Sequence, residues 1–316
     1  MRRLINIFRL LITYCLDWVV AILVWPVSVL RWGTVIGNAL RIRRNGIQTA
    51  VVTYTRPDDG KCVTLVGTMH VADQEYFEEL YDLVDTEESE LDAAILYERV
   101  RKDKEALRDD DVSPSATLER AFGSLHSLYR YMAAATGRAM QMDVLCPQDT
   151  WTNTDMTGRE VAKRSAETWV VQYLIMTGVL ERIVKTGGLK RGIPQPPPQP
   201  YFLASYQAEV SMRAMHLTVP LQALLLLLPK QATPVHIILT ERNEIAVEGI
   251  LEALAYTNNV VSIWGAAHLP GIGKLLKRRG FALSRKHVKW FTCCRFRRYG
   301  LLDIVKYAFT GRFRAE

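Results

Sequence analysis

Hydrophobic positions along the chain repeat with two periods. "TAVVTYT" and "CVTLVGTMH" are apolar runs of strand length on either side of the turn-rich "RPDDGK", so residues 49–69 read as a β-hairpin. After His70 the period lengthens. In "ADQEYFEELYDLVDTEESEL" the positions Tyr76, Leu80, Leu83 and Val84 share one helical face. "DAAILYER", Asp92 to Arg99, is a short apolar strand ending in charge. From about 117 to 186 the spacing is helical, with a helix start after Asp155-Met156-Thr157. "TPVHIILTERNEIAVEGILEAL" is helical too, with Ile237, Ile238, Ile245 and Ile250 among its apolar positions. A buried strand follows from Val260, then a basic helix through Arg279 and a last strand near 281–290. Strands and helices alternate at both ends, and helices gather in the middle. This order predicts an α/β (α+β) sheet domain with a helical insert over about 117–230.

Three segments stand outside that pattern. Residues 10–30, "LLITYCLDWVVAILVWPVSVL", carry a single charge between Arg9 and Arg31 and are long enough to cross a bilayer as a helix. Asp17 costs roughly 3 kcal/mol on insertion, which the surrounding apolar residues offset. Residues 1–44 therefore read as a single-pass N-terminal membrane anchor. "RGIPQPPPQP", 191–200, reads as an exposed extended loop, and "LTVPLQALLLLLP", 217–229, as a core helix too short to span.

Charge sharpens the picture. Residues 1–44 carry seven Lys/Arg and one acid, 274–316 carry thirteen and two, and the stretch between has a net charge of −10. An acidic body with basic ends suits anionic lipid better than nucleic acid, whose binders carry the basic patch on the folded body. "SRKHVKWFTCCRFRRYG", Ser284 to Gly300, interleaves bases with aromatics. It fits either a membrane interface, where Cys293-Cys294 could be acylated, or a last basic strand. Domain boundaries are set at 44/45 and 290/291, leaving 291–316 as a basic aromatic tail. Five cysteines without regular spacing exclude a disulfide scaffold or zinc finger.

The candidate chemistry sits where apolar strands stop. "CVTLVGTMH" and "VVSIWGAAH" each end in Gly-x-x-His, at His70 and His268, and "AILYE" ends in Glu98. Ligand sites of open α/β sheets lie at the carboxyl ends of strands. Two imidazoles and a carboxylate there match a divalent metal site with open positions for water, or, without metal, general bases acting on water. His126, His216, His236 and His287 lack this setting.

"GTMHVAD", "LYER", "TERN" and "WGAAHLPGI" together resemble the TraB/GumN/PrgY superfamily, which includes the TIKI proteins; the likeness spans about 50–275. "NTDMT" resembles an "ADM" element of some bacterial members, with Thr154 where alanine is usual. The resemblance implies a mixed sheet of two related halves and a membrane-tethered metallopeptidase acting on a peptide or protein. His70, Glu98 and His268 would hold Mn, Co or Zn, with Arg242 as a substrate or oxyanion contact and Asp155 nearby. It also leaves two alternatives: a peptide-sequestering protein without activity, and a metal-free, esterase-like hydrolase.

Overall fold

The computed structural model describes residues 39–43, 46–101, 108, 110–186 and 236–295, with Ile12, Cys15, Leu16 and Val19 as four further helical positions. The expected hairpin forms. A short β1 (Leu40–Arg43) precedes β2 (Gly46–Thr55), which pairs antiparallel with β3 (Cys62–Thr68), Val51 opposite Val66. A two-stranded ribbon joins β4 (Val71–Ala72) to the later β6 (Ala139–Met140). Beyond β3 the sheet turns parallel, in the order β3, β8 (Asn259–Gly265), β5 (Ala94–Tyr97), β7 (Thr152–Asn153). On β2, β9 (Ala282–Arg295) adds an antiparallel strand, making a seven-stranded mixed sheet of an α/β fold.

Helices cover both faces. α1 (Gln74–Leu91) packs Tyr76, Phe77, Leu80 and Val84 against Val66, Val261 and Ile263. The helical insert begins with α2 (Pro114–Thr136) and continues through α3 (Gln141–Val144), α4 (Gly158–Ala166), α5 (Trp169–Met176) and α6 (Val179–Thr186). The opposite face is covered by α7 (Arg242–Ala253) and α8 (Leu269–Arg278), whose Ile250, Ile272 and Leu276 meet Val260 and Trp264. Alternate residues of β8 thus enter different cores, so a strand buried on both sides reads as the run "VVSIW", apolar but for the buried Ser262. α4 starts where the sequence places it. Thr157 Oγ1 accepts from Glu160 N, and Glu160 returns a carboxylate to Thr157 N, satisfying two otherwise orphaned amides.

Three boundaries move. Ala39 is buried and β1 belongs to the sheet, so the folded domain begins before residue 45. β9 runs through Arg295, so the stretch assigned to a tail from 291 starts inside the sheet. Its cysteines are core residues. A register shift between Ile47 and Gln48 inserts an extra residue into β9, and this bulge lets the consecutive Cys293 and Cys294 both face the α1 core. Buried thiols on a paired strand are closed to acylation. The third change lies within "TPVHIILTERN": a π-helical turn, His236–Glu241, precedes α7 instead of regular helix. No helix among the described residues is long and apolar enough to cross a membrane. The readings of 10–30 (four positions apart), 191–200, 217–229 and 296–316 lie outside the described residues.

Candidate functional site at the strand ends

All four parallel strands stop at an ionisable residue. His70 lies just past β3, Glu98 just past β5, Asp155 just past β7, and His268 past β8 at the N-cap of α8. Chain connections set this place apart. From β3 the chain crosses through α1 to β5, and β8 enters between those two strands before α8 leaves over the other face. That is a topological switch point, where helices on opposite faces leave a crevice at the carboxyl edge.

Glu98 is the hub. Its Oε1 accepts from Arg242 Nη2 at 2.5 Å and lies 3.5 Å from His268 Nε2. Its Oε2 accepts from the Gly265 N–H at 2.5 Å. A Cβ on residue 265 would sit 3.2 Å from that oxygen, so glycine is the residue that lets the carboxylate reach the backbone. Arg242 is buried and donates through Nε and Nη2 to the two oxygens of Asp155, at 2.8 and 2.6 Å. Asp155 is itself fixed: Oδ1 accepts from Met156 N, and Asn153 Oδ1 accepts from Asp155 N. The guanidinium face also lies 5.5 Å from the Trp264 ring centroid. Glu98 and Asp155 against Arg242 leave one net negative charge in a nearly dry site.

Burial pushes the Glu98 carboxyl up, but the combined pull of His268, Arg242, His70 and the Gly265 amide outweighs it and holds the group at about 2. Burial lowers His268 to about 4 despite the Glu98 charge. At neutral pH neither atom facing the 3.5 Å gap carries a proton. His268 Nδ1 donates to Asn243 Oδ1 at 2.8 Å, which fixes the tautomer and leaves Nε2 with a bare lone pair. Burial raises the Asp155 carboxyl, with Arg242 opposing.

His70 is placed differently. It is exposed and packs on Tyr129 of α2, ring centroids 5.1 Å apart. It is near enough to act on the charge of Glu98 but forms no hydrogen bond to it. Among the described residues no three His, Cys, Asp or Glu side chains form a ready metal cluster. The sequence candidates therefore divide: Glu98, His268, Arg242 and Asp155 join in one network, and His70 stands at its rim. Glu241, by contrast, pairs with Arg164 on the surface.

Two residues of the site escape sequence reasoning. Asn243 is adjacent to Arg242 in "TERN", and its signal is that an asparagine beginning a helix is buried. Tyr129 reaches His70 from the insert, and nothing in its local pattern marks it. No protein-family model matches the chain, and no curated protein matches it.

Proposed function

We propose that the chain is a membrane-anchored hydrolase of the TraB/GumN type, a metal-dependent peptidase whose centre is His70, Glu98 and His268. The observation that carries this reading is the 3.5 Å approach of His268 Nε2 to Glu98 Oε1, two atoms that are both proton-free at neutral pH. Two lone pairs facing each other repel, and a cation between or beside them reverses the sign. A group titrating near 4 is a weak base at neutral pH but a good imidazole ligand, so the shift favours metal ligation over proton transfer. Asn243 supplies the outer hydrogen bond that metal-binding histidines normally have. The donor pair fits a divalent ion, and the single negative charge of the cluster leaves room for one.

His268 and Glu98 would hold the ion, with His70 as third ligand after turning from Tyr129. The ion supplies a water acidic enough to ionise near neutrality and a charge to polarise a carbonyl. Arg242 acts through Glu98, keeping its carboxylate ionised and aimed; with Nε and Nη2 committed to carboxylates, it is a positioning residue. Asp155 positions Arg242. Exposed His70 is the group an extended peptide meets first. The same reading takes the strand–Gly-x-x-His units on neighbouring β3 and β8 as two related halves, the helices between them as the insert, and 10–30 as the anchor that brings the site to a lipid surface.

The test is metal content and peptide cleavage in the full-length protein, wild type beside His268→Ala and His70→Ala. After supply of Mn, Co or Zn, wild type should retain about one ion per chain, His268→Ala none, and His70→Ala an ion bound more weakly. A wild-type protein that binds no ion defeats the metallopeptidase reading. Peptide binding without cleavage would then identify the site as a capture pocket.

A further inference from the structure

A second cavity lies along α8, on the sheet face away from α1. Its volume is about 250 Å³, and Val52, Leu65, Leu269 and Leu283 make its walls apolar. Three residues with polar ends interrupt that lining: Tyr54, Lys274 and Lys277. Tyr54 is 7% exposed, and its hydroxyl has no hydrogen-bond partner among the described residues. The hydroxyl is open to water, and an unpaired phenol on a residue lining a cavity can donate to a ligand atom there. Burial raises its pKa, which keeps it a donor. Space for it is made by residue 273, where a Cβ would come within 2.1 Å of Tyr54 Oη, so only glycine lets the ring lie against α8. The two lysines are exposed, one turn apart, and neither forms an ion pair among the described residues.

An apolar chamber lined also by one phenol and two lysines selects a ligand with a hydrocarbon body and a single anionic head. At roughly 30 Å³ per water-sized group the chamber takes about eight such groups, short of a drug-sized site. We propose that this cavity binds a medium-chain fatty acid, its chain against Val52, Leu65 and Leu283 and its carboxylate on Tyr54 Oη and the two lysines. Desolvated aliphatic burial provides the affinity, and the donors select the acid over the alcohol of equal length. The site is separate from the Glu98 network and does not depend on the hydrolase reading.

The experiment titrates the full-length protein with carboxyl-¹³C hexanoate and follows the carboxyl resonance. Wild type should show a saturable shifted signal equal to about one ligand per chain. Tyr54→Phe and the Lys274→Ala/Lys277→Ala pair should each weaken binding at least tenfold. Leu283→Trp, which fills the chamber, should abolish the signal with the far-ultraviolet circular dichroism unchanged, and hexanol should compete at least tenfold more weakly than hexanoate. A wild-type protein without a saturable signal, a Leu283→Trp protein that binds normally, or hexanol competing as well as hexanoate would each overturn the assignment.

Discussion

At the scale of single residues, Arg242 is the side chain whose removal costs most. It bridges two largely buried carboxylates, and truncating it leaves Glu98 and Asp155 without that shared cation. Arg242→Ala should cost about 3–5 kcal/mol in denaturant unfolding. Arg164→Ala breaks the exposed pair with Glu241 and should cost under about 1 kcal/mol. Equal losses for the two would refute the contrast. His268 gives a second prediction. The unfolded imidazole takes up its proton near 6.5, but the folded one does so only near 4. Between those values the unfolded chain binds more protons, so acidification from 6.5 to 4 should remove about 3 kcal/mol of stability. Below that range Glu98 adds a loss of the same sign between 4.5 and about 2. With chelator present to keep metal off the imidazole, His268→Ala should flatten the upper window and, by removing a charge that holds Glu98 down, narrow the lower one. An unchanged slope would mean that His268 is not buried as a neutral group.

At the scale of elements, legibility followed how local each cause is. The strand ends at His70, Glu98 and His268 could be read because an apolar run, a glycine and an ionisable side chain are contiguous in sequence. β7 could not, being two residues long and held by pairing with β5 alone. β9 misled for a physical reason. An edge strand is protected by outward bases, and this one alternates Lys289 and Arg295 with inward Val288, Trp290 and Cys294. Bases beside aromatics also mark a lipid interface, so the two are alike in composition. Here the aromatic partner is internal: Arg41 of β1 lies over the Trp290 ring at 3.5 Å. The Cys293–Cys294 bulge tests the distinction. Burial raises the Cys293 thiol far above its ordinary value, so both cysteines should resist alkylation in the folded protein and react once it is unfolded. Exposed Cys146 serves as the internal control. Rapid native labelling of Cys293 or Cys294 would put them at a surface and return the lipid reading.

At the scale of the whole molecule, the hydrophobic cores divide the chain into parts of unequal strength. The two large clusters share the sheet, one on each face, so β3 and β8 cannot be exposed without losing both. The insert has a small core of its own, Leu118, Ala162, Ala166 and Val171, and α5 leaves Trp169, Tyr173 and Met176 facing outward. With Val171 as its one buried side chain, α5 should open locally, together with the α6 that follows it, at a free energy well below global unfolding. Hydrogen exchange can measure this. Amides of Val261 and Ile263 should exchange only through global unfolding, and those of α5 and α6 at least a hundredfold faster. One buried tie between the two parts is the Arg242–Asp155 pair, since Asp155 begins the turn into α4 while Arg242 begins α7 beneath the sheet. Asp155→Asn weakens that tie with little change in shape. It should speed exchange in α4 to α6 while leaving β8 protected, until its cost approaches the global stability. Uniform exchange across insert and sheet would show a single cooperative unit, and Asp155 would then support the entire fold and not one junction within it.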